Sequence, residues 1–182
     1  MSPEMKTIAI GLDGATFDLI LPWVEEGKLP NLGRMMNQGS WGTLWSVPNM
    51  ISPAAWSSFL TGKNPGKHGI FYFNQRVPGS YRMQLINGSY RSGKTFLELL
   101  SEGGKQAGVM NVFTTYPAQE INGFWISGLD APSSESPDFA YPPPVLDDLV
   151  QNCGEYILFP QIYRGLQDGR FDVVLDRICE AM

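Results

Sequence analysis

Two side chains stand out for the chemistry they could do: Asp13, which closes the apolar run KTIAIGLD, and Ser52, in MISPAAWSSFLTG. A serine just ahead of a proline at the start of a helical stretch reads as an N-cap, with Pro53 at N1. Its hydroxyl then lies near unpaired backbone N–H groups and the positive end of the helix dipole. Both favour an alkoxide there and an anionic phosphate beside it. Neither deprotonates a serine at neutral pH. A divalent cation does, and a carboxylate such as Asp13 is what brings one in. Together the two residues compose a metal-activated serine nucleophile attacking phosphorus. Each also has a plainer reading: Ser-Pro as a cap alone, and Asp-Gly as a turn.

A different chemistry is spelled by GSYRSGKT, residues 88–95, which fits the Walker A pattern of Gly, four residues, Gly, Lys, Ser or Thr. A phosphate loop needs a buried strand before it and a helix after it. The preceding SYRMQLIN mixes polar and apolar residues, as a half-exposed strand does. Tyr90 and Arg91 are bulky where backbone must wrap a phosphate. The best Walker B candidate, FDVVLD (171–176), belongs to a run in which Phe171, Val174, Leu175, Ile178, Cys179 and Met182 repeat with helical spacing. The better reading makes Gly88 to Gly93 a turn. Lys94-Thr95 then opens a helix whose Phe96, Leu99 and Leu100 face the core. His68, the single histidine, sits in a Pro/Gly loop and reads as structural. Cys153 and Cys179 share no close spacing and read as small buried apolar residues.

The elements that must position these groups alternate. Strands are expected over 6–13, 41–47, 69–73, 80–86, 105–113, 123–129 and 155–159. Helices are expected over 17–27 (broken near Pro22), 30–39, 53–60 (capped by Ser52 and ended by Gly62), 95–104 and 145–152, with a helical stripe in 168–182. Residues 63–69 read as a loop, and the Pro/Ser-rich 131–144 as a surface loop. Alternation of this kind predicts an α/β fold with a mostly parallel sheet, in which ligands bind beyond the C-terminal ends of strands. Asp13 stands at such an end.

Composition bounds the rest. With 182 residues, 43% hydrophobic and 17% charged, the chain is long enough for a domain with a real core. The net charge of −5 offers no bulk attraction to nucleic acid. The N-terminus turns to Asp and Gly after a very short apolar run, unlike a signal peptide. No stretch approaches the roughly 20 apolar residues of a membrane span. A cytoplasmic protein with neither nucleic-acid nor membrane partners is expected.

From about Lys6 to about Leu158 the sequence resembles the alkaline phosphatase superfamily, in its branch of type I phosphodiesterases/nucleotide pyrophosphatases and related phosphohydrolases or phosphomutases. The matching pieces are Leu12-Asp13-Gly14, the GKLPN helix entry (27–31), SPAAW (52–56), TGKNPGKHG (61–69), NVFTTYPAQEINGFWISGLDAPS (111–133) and the YPPP loop (141–144). The resemblance implies a three-layer α/β sandwich and two divalent metals, usually zinc, with manganese or magnesium as alternatives. It implies Asp13 as a ligand of one metal. Ser52 becomes both ligand and nucleophile, forming a phosphoserine that water hydrolyses, on a phosphate-ester substrate. His68 matches a position that is not a ligand.

Three features depart from the branch. Many members have Thr where Ser52 stands. Phe73 occupies the position of a phosphate-binding Asn, and Asn74 is one residue out of register, so nucleotide specificity does not carry over. The family's remaining ligands, several of them histidines, lie beyond residue 182. The chain is therefore expected to be the N-terminal part of a single catalytic domain, inactive alone and self-associating through exposed apolar surface. The alternatives are a phosphomutase on the same fold, a non-catalytic binding domain and the P-loop nucleotidase.

Overall fold

The computed structural model describes residues 6–158, and the chain divides into two units, residues 1–46 and 47–182. In the first, helix α1 (Phe17–Glu25) is capped by Thr16, whose hydroxyl accepts the Asp18 N–H. Pro22 lies inside α1 without breaking it, contrary to expectation. A proline six residues into a helix removes a single backbone hydrogen bond, and the ladder continues past it. Helix α2 (Pro30–Gln38) starts on a proline and stops at Gly39, as its sequence predicts. The two helices meet where a Cβ on buried Gly33 would stand 3.0 Å from a Val24 methyl.

Both strands expected in or at the edge of this first unit are absent. Residues 6–12 and 41–47 carry no strand pairing. Ile8 is 86% exposed and Leu44 93%. An apolar or alternating run states a preference for burial but not which strand it pairs with, and neither segment is in the sheets formed by the described residues.

The second unit holds the layers. Helix α3 (Ser52–Thr61) ends at Gly62, whose φ of 64° needs a residue without a Cβ. The following loop contains a four-residue helix, α4 (Pro65–His68). Strands β1 (Asn74–Arg76) and β2 (Met83–Leu85) form an antiparallel hairpin, whereas the strand predicted over 69–73 does not form. Helix α5 (Phe96–Glu102) is held by a capping box: Thr95 Oγ1 accepts the Glu98 N–H, and the Glu98 carboxylate accepts the Thr95 N–H at 2.7 Å. This box sets the phase of the helix. Leu97 faces the core, whereas Phe96, Leu99 and Leu100, predicted to do so, are all exposed.

Strand β3 (Ala107–Val112) lies parallel to β4 (Gly123–Ser127), and β5 (Ala140–Tyr141) pairs antiparallel with the other edge of β4. Successive residues of β4 point to opposite faces. Trp125 joins Leu60 of α3, Leu97 of α5 and Val109 of β3 on one side. Ile126 joins Ala131, Phe139 and Leu158 on the other, with Leu146 and Leu149 of helix α6 (Val145–Cys153) packed against them. Helices thus cover both faces of the sheet, as the α/β reading expects. Full burial of each large aliphatic in these clusters contributes about 1.5–3 kcal/mol.

Cys153, expected to be buried, ends α6 exposed. Residues 155–158 form no strand. Residue 159, Cys179 and the predicted 168–182 helix lie outside the described residues. Among the described residues no helix is long and apolar enough to cross a membrane.

Candidate functional site

Helix α3 begins one residue earlier than its sequence suggests. Ile51 stands at the cap position without a side-chain bond, Ser52 is the first helical residue, and Pro53 follows. Proline suits either of the first two positions, because neither N–H has an acceptor within the helix. The first bond of the ladder runs from Ala55 N–H to the Ile51 carbonyl at 3.0 Å. Ser52 is half-buried, and Pro53 and Ala54 behind it are buried. Its hydroxyl therefore stands at the positive end of a ten-residue helix.

Two adjacent hydroxyls pin this helix. Serine is a mediocre interior helix residue because it competes for backbone hydrogen bonds, yet Ser57 and Ser58 both have tertiary partners. Ser58 Oγ lies 2.8 Å from His68 Nε2. His68 Nδ1 accepts the Ile70 N–H at 3.1 Å, so Nε2 carries the proton and donates it to Ser58. His68 is buried, and it serves as a spacer between α3 and the α4 turn, as predicted. Burial, reinforced by the Arg91 charge, lowers its pKa below the ordinary imidazole value. The unfolded chain accordingly takes up a proton near pH 6.5 that the folded protein resists. Stability should fall as pH drops from about 6.5 towards the folded-state value, by up to about 1.4 kcal/mol per pH unit. Melting temperatures of wild type and His68→Gln between pH 7.5 and about 5.5 check this: wild type should lose more than the variant, which keeps the Nε2-like donor but does not titrate.

Asp13 lies in the first unit, in an exposed turn with Gly14, whose φ is 70°. It was expected at a strand end, but the run before it forms no strand. Ser52 lies in the second unit. Among the described residues no three His, Cys, Asp or Glu side chains gather as a cation site. Residues 6–158 alone therefore do not fit a complete metal centre.

The Walker-like segment is committed elsewhere. Gly88 N–H bonds to the Tyr116 carbonyl at 2.6 Å and to Asp130 Oδ2 at 3.2 Å. A Cβ there would lie 2.7 Å from the Thr114 carbonyl oxygen. Ser89 N–H turns to Asn87 Oδ1, Arg91 N–H to the Gly88 carbonyl and Ser92 N–H to the His68 carbonyl. The lysine, Lys94, pairs with Glu102 at the surface. The preceding strand, β2, belongs to an antiparallel hairpin rather than to a buried parallel sheet. The N–H groups of Gly88, Ser89, Arg91 and Ser92 are thus engaged within the protein, and Lys94 is paired, unlike the arrangement a nucleotide loop requires. Magnesium-ATP should leave the melting temperature unchanged, and so should Lys94→Ala in its presence; an ATP-dependent rise lost in the variant would reinstate the nucleotide loop.

A second polar cluster lies beyond the C-terminal ends of β3 and β4, where parallel strands present ligands. Asp130 accepts the N–H groups of Gly88, Thr115 and Tyr116 at 3.2, 3.2 and 2.9 Å. Thr114, fully buried with φ of 60°, donates to the Phe113 carbonyl at 2.6 Å and lies 3.0 Å from Ser57 Oγ. The Arg91 guanidinium bonds to the Thr114 carbonyl. Sequence reading singled out none of these for function. The available signals were the doubled serine on an otherwise apolar helix and an aspartate just past a strand.

A family model for type I phosphodiesterase/nucleotide pyrophosphatase matches residues 7–176. No curated protein and no solved structure gives a match.

Proposed function

Because the chain belongs to the type I phosphodiesterase/nucleotide pyrophosphatase family, we propose that it acts as a phosphate-ester hydrolase in which Ser52 is the nucleophile and Asp13 a ligand to a divalent cation. The family is metal-dependent at the general level. Here the proposal is two cations, zinc first and manganese or magnesium as alternatives, with further ligands from outside residues 6–158. Such a cation supplies positive charge that favours the serine alkoxide and neutralises phosphate.

The observation that carries this reading is the position of Ser52 within the family's matched segment: half-buried, on the first turn of a helix packed into the core through Ala54 and Leu60. The N-terminal N–H groups and dipole of α3 favour the phosphate anion. Ser52 gives up its hydroxyl proton to solvent, its Oγ forms a bond to phosphorus, and the ester oxygen leaves with its bonding pair. Water then attacks the phosphoserine, releasing phosphate or its monoester and restoring the hydroxyl.

Trapping tests it. The protein expressed from its complete reading frame is incubated with bis-p-nitrophenyl phosphate or p-nitrophenyl phosphate and zinc, quenched in acid during turnover and digested. The peptide carrying Ser52 should gain a p-nitrophenylphosphoryl group from the diester or a phosphoryl group from the monoester, and Ser52→Ala protein should show neither. Turnover with label on another residue would overturn the assignment.

A further inference from the structure

We propose that Thr114 is a positioning residue that, through Ser57, fixes the N-terminal end of α3 and with it the Ser52 hydroxyl. The inference rests on the reading of Ser52 as nucleophile. It starts from the backbone. Thr114 holds φ of 60°, a left-handed conformation that crowds a β-branched side chain at an energetic cost. Glycine or asparagine would relieve that cost. What threonine adds is a hydroxyl at a fixed point.

The hydroxyl's bonds are directional. Its one proton goes to the Phe113 carbonyl at 2.6 Å. It therefore accepts at 3.0 Å from Ser57, whose hydroxyl must be the donor. An Arg91 nitrogen approaches the same oxygen at 3.4 Å and also bonds to the Thr114 carbonyl. Thr115, the next residue, is held from three sides. Its hydroxyl donates to the Val112 carbonyl and accepts the Gly128 N–H at 2.9 Å. Its carbonyl accepts Trp125 Nε1–H at 2.8 Å and the Ser127 hydroxyl at 3.2 Å. Through Thr115, Thr114 is thus tied to the ends of β3 and β4. Ser57 lies five residues from Ser52 on one unbroken helix, about 7.5 Å along its axis, so fixing Ser57 fixes the position of Ser52.

Stability alone gives no reason for the pair. Replacing both partners of a buried hydrogen bond with apolar groups of similar shape is often neutral or stabilising. A buried polar pair instead selects one arrangement among several of similar energy. Nucleophile placement needs that selection, because a shift of about 1 Å can cost roughly a hundred-fold in rate.

The experiment compares Thr114→Val, Ser57→Ala, the double variant and Thr114→Ser in protein from the complete reading frame. Melting temperature, kcat, KM and the rate of Ser52 phosphorylation are measured for each. The expected result is a fall in kcat of roughly ten- to a hundred-fold with KM within about two-fold for the first three. The double variant should be no worse than the worse single, should melt near wild type, and Thr114→Ser should restore the rate. Two results would overturn the inference: the double variant phosphorylating Ser52 at the wild-type rate, or kcat falling only in step with melting temperature while Thr114→Ser fails equally. If wild-type protein turns over without modifying Ser52, the nucleophile assignment itself falls, and the two failures are told apart.

Discussion

Ser52→Ala should reduce phosphodiester turnover by about a thousand-fold or more in protein that remains folded. Alanine is at least as good as serine on the first turn of a helix interior. The cap position belongs to Ile51 rather than Ser52, so the substitution removes no capping residue. The burial of Pro53, Ala54 and Leu60 that anchors α3 is unchanged. A nucleophile is different, because no neighbouring group replaces the lost Oγ–P bond. Ser58, the other serine of α3 that is not buried outright, is bonded to His68 at 2.8 Å and lies nearly two turns down the helix. Ser52→Thr keeps the hydroxyl and should retain turnover within about ten-fold, provided the extra methyl fits beside the half-buried site. Initial rates on both p-nitrophenyl esters, with Lys94→Ala as an unrelated surface control, separate the outcomes. A Ser52→Ala protein that turns over at the wild-type rate would end the nucleophile reading.

What sequence could reveal here follows from how local each signal is. Helices α2 and α6 are legible because proline starts, glycine stops and apolar spacing are written within each segment. Strands β3 and β4 are legible as continuous apolar runs of the right length. The runs 6–12 and 41–47 have equally strong patterns, yet a strand exists only through its partner, which no single segment encodes. The phase of α5 was misjudged because Thr95 and Glu98 fix it through a reciprocal cap, and that overrides the more obvious leucine stripe. At the candidate site, the start of α3 near Ser52 was legible from Ser-Pro to within one residue. Thr114 and Asp130 were not. Their roles are to receive donors from segments distant in sequence: Ser57 reaches Thr114 across 57 positions, and Gly88 reaches Asp130 across 42. Such long-range acceptors leave no local mark beyond a hydroxyl or a carboxylate.

Asp130→Ala should destabilise the protein by about 2–4 kcal/mol, the largest stability loss expected among the polar residues of this cluster. The carboxylate joins two segments by accepting N–H groups from Gly88 on one side and from Thr115 and Tyr116 on the other. Removing it does not orphan all three donors, since Gly88 N–H also reaches the Tyr116 carbonyl at 2.6 Å. The N–H groups of Thr115 and Tyr116 lose the acceptor recorded for each, and each buried, unsatisfied donor costs about 1–3 kcal/mol. Asp130→Asn should lose less, because one oxygen remains, but its amide turns a donor towards a donor. The pH dependence runs opposite to that of a surface carboxylate in an ion pair. Burial raises the Asp130 pKa above its ordinary 3.8, with the Tyr116, Thr115 and Gly88 N–H groups pulling it back only in part. The folded protein therefore holds this proton more tightly than the unfolded chain does. The resulting stabilisation is complete below about 3.8 and is lost as pH rises through the folded-state value. Asparagine does not titrate. The stability gap between wild type and Asp130→Asn should widen as pH falls through the carboxylate range. Denaturant titrations of both proteins at neutral and acidic pH measure the gap directly, and a gap that shrinks on acidification would show that the backbone donors, rather than burial, dominate this carboxylate.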